Sequence, residues 1–224
     1  METRGTEAGK TKRIRLTKPL LLVMGVALLV LVVSLLYLSS LAPTTKPPTI
    51  TFDFDTGSPI LAETQNTPLT QTSSGVTASF SSPSDLASPA FSVQSYDTTF
   101  ISLSQFSGKW LYDNKPVADS LDILFSHEVT SISLTFATVE YHGGPGTQPS
   151  NITLTAYMNS AETTPVGRAT AHGAFSNDPY PQGTLSINSD GQPFNLVRIE
   201  IPYQGPNGAK DFFVDNMICV LLTK

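Results

Sequence analysis

Four aromatic side chains have the types and spacing expected of a sugar-binding surface. Trp110 and Tyr112 alternate along a predicted strand, so they share one face of it. Tyr141 precedes a glycine-rich loop, and Tyr180 lies between two prolines, which oppose regular strand pairing and favour exposure. The apolar face of a sugar ring can stack on such rings while nearby amides and carboxylates bond its hydroxyls. The alternative is that Trp110, the single tryptophan, belongs to the core.

Side chains that could catalyse a reaction form no recognisable motif. The GxSxG signature of Ser hydrolases is absent, and the only cysteine, Cys219, lies in an apolar run that predicts burial and allows no intrachain disulfide. His127, His142 and His172 lack the spacing of zinc ligands, so we expect them to be solvated loop residues, with His127 at a turn. A carboxylate pair for glycoside hydrolysis would depend on the fold. We therefore expect a protein that is not an enzyme.

Charge is distributed unevenly along the 224 residues. Residues 1–18 carry six basic and two acidic groups, a net of +4, whereas the remainder carries seven basic and sixteen acidic groups, a net of −9. Because an acidic domain repels phosphate backbones, we expect no nucleic-acid partner.

The basic segment precedes an uncharged apolar stretch, residues 20–38, which is 19 residues long. A helix of that length spans about 30 Å, the hydrocarbon thickness of a bilayer. The charge asymmetry predicts a single-pass anchor in the cell membrane, with a cytoplasmic tail (1–18), a transmembrane signal-anchor helix (19–42) and a Pro/Thr-rich stalk (43–49). The alternative is a cleaved signal peptide, but the stretch is long for one and Pro43 would follow the cut. Both interpretations place residues 50–224 outside the cytoplasm.

Residues 50–224 show the alternation of apolar and polar residues that is typical of strands. Between the strands lie clusters of Gly, Pro, Asn and Asp, and no helical periodicity follows residue 42. We therefore predict an all-β domain, a sandwich of two antiparallel sheets with ten or more short strands. The predicted strands include residues 49–54, 76–80, 91–93, 100–103, 110–112, 129–137, 152–158 and 197–203.

Three segments resemble exported bacterial jelly-roll domains of the galactose-binding-like kind, which include many carbohydrate-binding modules. They are the opening Phe52-Asp53-Phe54-Asp55-Thr56-Gly57, the central residues 121–137 with Ile152–Tyr157, and the closing Phe212-Phe213-Val214-Asp215-Asn216. The resemblance covers roughly residues 50–222 and implies a jelly-roll sandwich. It also implies a structural Ca²⁺ ion, held by carboxylates of the first and last strands, here Asp55 and Asp215. In the alternative, Asp55 caps a turn and Asp215 bonds a neighbouring loop.

These observations predict a membrane-anchored, surface-exposed, non-enzymatic module that binds carbohydrate or a glycoconjugate. The alternatives are a protein–protein module of an adhesion or envelope assembly and, third, a small surface hydrolase.

Overall fold

Alternating apolar and polar residues form the strands of this protein. The structure is a computed structural model, and it describes residues 27–34, 46–114, 120–140, 148–161, 164–176, 178–204 and 208–222. The chain divides into two units, Met1–Lys46 and Pro47–Lys224. The described part of the second unit contains a 3-10 helix, Pro83–Leu86, a short α-helix, Tyr96–Thr99, and eleven strands. The strands are β1 Thr49–Phe52, β2 Leu69–Ser73, β3 Val76–Ser81, β4 Phe91–Ser95, β5 Lys109–Asp113, β6 Leu121–Thr138, β7 Asn151–Tyr157, β8 Pro165–His172, β9 Gln182–Asn188, β10 Phe194–Glu200 and β11 Phe212–Leu221.

The strands form two antiparallel sheets that share the 18-residue strand β6. Residues 121–125 of β6 pair with β3 and β10, giving the order β2–β3–β6–β10–β7–β8. Residues 129–138 of β6 pair with β11 and β9, giving the order β4–β5–β11–β6–β9, and β1 pairs with the last residues of β11. The predicted all-β sandwich is confirmed.

The main core lies between the two sheets and is rich in phenylalanine. Inward-facing rings contact one another across it, as in the pairs Phe52–Phe125 (6.1 Å between centroids) and Phe91–Phe212 (5.3 Å). Each fully buried Phe side chain contributes about 1.5–3 kcal/mol relative to an exposed one. Cys219 is buried in this core, as predicted.

Five of the eight predicted strands are confirmed within two residues, 129–137 is the second part of the longer β6, and 197–203 is shifted by three residues from β10. The strand predicted at residues 100–103 is wrong. Ser95 begins the helix Tyr96–Thr99 with a capping box, and the helix ends at Phe100 in the left-handed conformation (φ 55°). Residues 101–108 then form a loop rather than a strand. The turn predicted at His127 is also wrong, because this exposed residue lies inside β6, between the two parts that pair with different sheets.

In the first unit, residues 27–34 are helical and exposed, and Ser34 Oγ donates to the carbonyl of Val30 (2.8 Å). Within the described ranges, no helix has the length and apolar character needed to cross a membrane. The predicted tail, most of the predicted transmembrane helix and the first residues of the predicted stalk lie outside the described residues.

Candidate functional site

A second apolar cluster covers the face of β5 and β11 that points away from the main core. Strand alternation sends Leu111 and Val214 into the core and Trp110, Tyr112 and Phe213 to the opposite face. We call this set the outer cluster; its buried members are Leu103, Trp110, Ala137 and Phe213, and Ile101, Phe106, Tyr112, Val139 and Tyr180 pack against them.

Three of the four predicted aromatic residues meet in the outer cluster. Tyr112 stacks on Phe213 with a centroid distance of 4.5 Å and an interplanar angle of 15°, and Tyr180 contacts the same ring at 5.6 Å. Burial, then Asp211, Tyr180 and Asp113, raise the pKa of Tyr112 to about 12, so its hydroxyl stays protonated. Trp110 is only 3% exposed. Tyr141 and His142 lie outside the described residues.

The loop of residues 101–108 covers the outer cluster. Its Phe106 ring meets Trp110 edge-on, at 6.0 Å and 90°. The middle of the loop is held by Asp178, whose Oδ2 accepts from Ser104 N (3.1 Å) and Ser104 Oγ (2.5 Å). These bonds, with those from Gln182 and Ser176, lower the pKa of Asp178 below its usual value. The carboxylate is therefore held in its charged form.

Beside this loop lies a depression of about 380 Å³ that brings aromatic rings and charged groups together. It forms where β4, the helix Tyr96–Thr99, the 101–108 loop and the start of β5 meet the segment after β1. We call it the acidic depression; its lining includes Asp55, Glu63, Tyr96, Asp97, Phe106, Lys109 and Trp110.

An exposed pair of rings, Tyr96 and Phe100, stands at this depression. Tyr96 lines it and is 55% exposed; Phe100 contacts Tyr96 edge-on at 6.4 Å and is 80% exposed. A positive φ is a strained conformation for a bulky residue, so the backbone holds the Phe100 ring outward at some cost. This pair is not among the predicted site residues, because the largely apolar residues 100–103 favour a strand in the sequence.

The polar groups of the residues that line the depression differ in their hydrogen bonding. The indole Nε1 of Trp110 is buried and has no hydrogen-bond partner among the described residues. Glu63 accepts from Ser95 Oγ (2.7 Å), and Lys109 Nζ donates to the carbonyl of Leu61 (2.8 Å). A buried donor without an acceptor costs the fold about 1–3 kcal/mol.

Asp55 and Asp215, the predicted calcium ligands, accept hydrogen bonds from the same backbone segment, residues 107–109. Asp215 is fully buried, and its Oδ2 accepts from the amide of Ser107 (3.1 Å). The two carboxylate oxygens of Asp55 accept from the amide of Lys109 (3.2 and 3.1 Å). Gly108 lies between these donors at φ +61°, where an added Cβ would lie 2.0 Å from Asp55 Oδ2.

The electrostatics of Asp215 show how unfavourable its buried charge is. Burial raises its pKa to about 7; the amides of Ser107 and Asn216 oppose this shift, while Asp55 and Asp53 add to it. Asp53, and not Asp55, caps the turn that follows β1, accepting from Thr56 N at 2.8 Å.

The chemistry of these carboxylates fits a calcium ion, which takes hard oxygen ligands. Gln71 supplies one more buried oxygen beside this turn: its Nε2 donates to Thr56 O, while Oε1 has no partner in the described part of the chain. Among the described residues, however, no group of three or more Asp, Glu, His or Cys side chains could hold a metal ion. Asp55 and Asp215 would therefore hold calcium together with backbone carbonyls or water.

Comparison with known proteins places sugar-binding modules among the structural neighbours of this chain. No protein-family model matches it, and no curated protein does. TmCBM27, a carbohydrate-binding module studied for mannan recognition, aligns with a TM-score of 0.39 and 12% identity over 79% of this chain and 99% of its own. CsCBM6-3 from Clostridium stercorarium, solved with cellobiose, gives 0.33 and 16% over 64% and 94%.

Enzymes occur among the neighbours too. The catalytic domain of a GH87 α-1,3-glucanase aligns with a TM-score of 0.32 and 11% identity over 60% of this chain and 29% of its own. The neighbours include carbohydrate-binding modules with a β-sandwich fold. With TM-scores below 0.5, they establish no function for this chain.

Proposed function

We propose that this protein is a non-enzymatic carbohydrate-binding module whose site is the acidic depression. The observation that carries the proposal is the meeting of exposed aromatic rings and carboxylates in one depression. Tyr96, extended by Phe100, offers an apolar surface for a sugar ring, and Asp97 and Glu63 offer acceptors for its hydroxyls.

Of the aromatic residues predicted from the sequence, Trp110 lines the depression but is buried, so in this proposal it supports the site from beneath. Tyr112 and Tyr180 support the 101–108 loop from within the outer cluster, where both pack on Phe213. Calcium held by Asp55 and Asp215 fixes the Ser107–Lys109 backbone, which leads directly into Trp110.

The proposal also places the sandwich outside the cell membrane, on a single-pass anchor with its N-terminus in the cytoplasm. The support is the uncharged stretch 20–38 preceded by six basic residues. Protease treatment of intact cells, with tags at both termini, tests it: the C-terminal tag is expected to be lost while the N-terminal tag is protected.

Affinity electrophoresis of the full-length protein tests sugar binding. The gels contain neutral or charged polysaccharides and a polyoxyethylene detergent, since a sugar-headed detergent would compete. We expect one or more polysaccharides to retard the protein, and Tyr96→Ala to weaken binding about tenfold, the loss of a contact worth about 1.4 kcal/mol.

The matched control is Tyr203→Ala, because Tyr203 is 83% exposed and is not part of the acidic depression. Equal loss in both variants would exclude the depression as the site. A folded protein that no polysaccharide retards would favour the protein–protein alternative.

The second candidate function is glycoside hydrolysis, favoured by the three carboxylates that line the depression. Glycosidases use two such groups flanking the scissile bond. Incubation of the retained polysaccharide with protein, followed by a reducing-end assay, distinguishes the two functions. Release of reducing ends that is lost in Glu63→Gln would make the protein an enzyme.

A further inference from the structure

We infer that this chain forms a homodimer in which the β9 strands of two copies pair antiparallel, edge to edge. The inference goes beyond the proposed function, since no residue of β9 lines the acidic depression. Its basis is a row of backbone groups that β9 leaves unpaired on an exposed edge.

The strand β9 pairs with β6 on one side only, among the residues that the structure describes. The N–H and C=O of Gln182, its first residue, bond Ala174 on the side away from β6. Because backbone groups alternate in direction along a strand, those of Thr184, Ser186 and Asn188 point the same way. No described residue bonds these N–H and C=O groups, and all three residues are exposed.

The other edge strands are protected in the ways that natural sheets use against pairing with another chain. β1 has only four residues. The segments at Ser58 and at residues 64–67 bond to the outer edges of β2 and β4. β8 begins with Pro165, carries Arg168 and pairs with β7 through a break in register. β9 has none of these features: its sequence QGTLSIN contains no charge and no proline, and its register with β6 is unbroken.

The free edge of β9 has a definite length. At one end Ala174 already occupies the edge at Gln182. At the other end the strand stops at Asn188, and the chain turns at Asp190, whose φ is 50°. Residues 184–188 are therefore the part of β9 that is open to a second strand.

A second copy of β9 fits this open part in one register. With a twofold axis at Ser186, this residue pairs with Ser186 of the second copy, and Thr184 pairs with Asn188 in both directions. Each of these pairs makes two backbone hydrogen bonds, so every free group is used. Leu185 and Ile187, which point into the core, become cross-strand neighbours of their counterparts.

Charge also favours contact at this edge. Beyond residue 18 the chain has a net charge of −9, so the surfaces of two copies repel each other in general. β9 brings no charged side chain to the contact. Asp190, the first charged residue after β9, lies four positions from the twofold axis. The two copies of Asp190 would then be about 27 Å apart, well beyond the Debye length at physiological salt.

Apolar residues beside β9 would gain from the contact. β8 packs against β9 from the other sheet, so closely that an added Cβ at Gly167 would lie 2.8 Å from Ile187 Cγ2. Val166, Ala169 and Ala171 of β8 are only partly buried against the core. A strand added to β9 lies over this edge and shields them from water, which adds hydrophobic stabilisation to the backbone bonds.

Cysteine cross-linking of the full-length protein, purified in a polyoxyethylene detergent, tests the contact. Residues opposite each other in a hydrogen-bonded pair have Cα atoms about 5.5 Å apart, a distance that a disulfide spans. Under a mild oxidant we expect Ser186→Cys to give at least tenfold more disulfide dimer than Thr70→Cys. Thr70 is the matched control, since it is exposed on the edge strand β2. The native Cys219 is buried and should add no background.

Three further variants test the register and the affinity. Thr184→Cys and Asn188→Cys, carrying different tags, should cross-link to each other when mixed. Each alone should not, because identical positions then lie about 14 Å apart. Ser186→Lys, which opposes two ammonium groups across the axis, should raise the dimer dissociation constant at least tenfold in light scattering. Thr70→Lys should leave the constant unchanged.

Each other outcome overturns the inference. Equal cross-linking of Ser186→Cys and Thr70→Cys would show random collision rather than pairing. Cross-linking of Ser186→Cys without the mixed cross-link between positions 184 and 188 would refute the antiparallel register. A wild-type protein that stays monomeric at the highest concentration, or a Ser186→Lys variant that dimerises as tightly as wild type, would refute the pairing of β9. Retardation by polysaccharide is measured separately, so failure of the dimer and failure of sugar binding are distinguishable.

Discussion

Replacing Asp215 with Asn should abolish a pH dependence of stability that a single buried carboxylate imposes on this fold. Asp215 is fully buried, and its pKa is raised from 3.8 to about 7. Because the folded state holds this proton more tightly than the unfolded state, the protonated carboxyl stabilises the fold at low pH. That contribution is complete below pH 3.8 and is lost as the pH rises through about 7.

The magnitude follows from the size of the shift. A difference of about three pKa units at about 1.4 kcal/mol each corresponds to a loss of roughly 4 kcal/mol between pH 4 and pH 8. For a domain of this size, 1 kcal/mol moves the melting temperature by about 2–4 °C, so the expected fall is about 10 °C. In Asp215→Asn the amide cannot ionise, although it places a donor where an acceptor stood, at a pH-independent cost of about 1–3 kcal/mol.

The assay is thermal unfolding of wild type and Asp215→Asn from pH 4 to pH 8, first in chelator and then with millimolar calcium. In chelator the wild-type melting temperature should fall by about 10 °C relative to the variant as the pH rises. Calcium should remove this fall, since a bound cation stabilises the ionised carboxylate, and the variant should respond little.

The measurements in chelator and with calcium test two separate statements. A constant difference between the proteins across this pH range in chelator would refute the raised pKa of Asp215. A wild-type melting temperature at pH 8 that calcium and chelator leave unchanged would refute the calcium site at Asp55 and Asp215, whatever the first arm gives.

Two further substitutions and one control test backbone positions with positive φ. Gly108→Ala should destabilise the protein by about 3 kcal/mol in urea titration, from its positive φ and from displacement of Asp55 off the Lys109 amide. Gly75→Ala, also at positive φ but with nothing within 4 Å, should cost only about 1 kcal/mol, and equal costs would contradict the clash. Phe100→Gly should raise stability by up to about 1 kcal/mol by relieving φ 55° while weakening polysaccharide retardation. A clear loss of stability would show that the ring packs in the fold.

The faces of the strands follow from the sequence because side-chain alternation is local. In β6 the residues Ile132 and Leu134 are buried and Ser131 and Ser133 are less so, as period two requires. The local sequence of β6 does not predict that this strand crosses from one sheet to the other. The crossing depends on which distant strands, β3 and β10 or β11 and β9, pair with each part.

The aromatic residues illustrate the same limit at the site. Alternation correctly placed Trp110 and Tyr112 on one face, but it could not show that the 101–108 loop covers that face. Covering requires contacts with Asp178 and Asp215, which lie more than 70 residues away in sequence. The ring at the surface is instead that of Tyr96, the first residue of the short helix that begins at the Ser95 capping box. This helix is hard to predict because the apolar residues that follow it favour a strand.

The pairing of Asp55 with Asp215 was suggested by a resemblance, and its structural consequence extends to the depression. Both carboxylates bind amides on either side of Gly108, and the next residues, Lys109 and Trp110, line the depression with Asp55 itself. A change in the charge of either carboxylate alters hydrogen bonds that set this backbone, because a neutral carboxyl accepts more weakly than an ionised one. The depression and the carboxylate pair therefore share one structural element, and a cation bound by this pair would also order the depression.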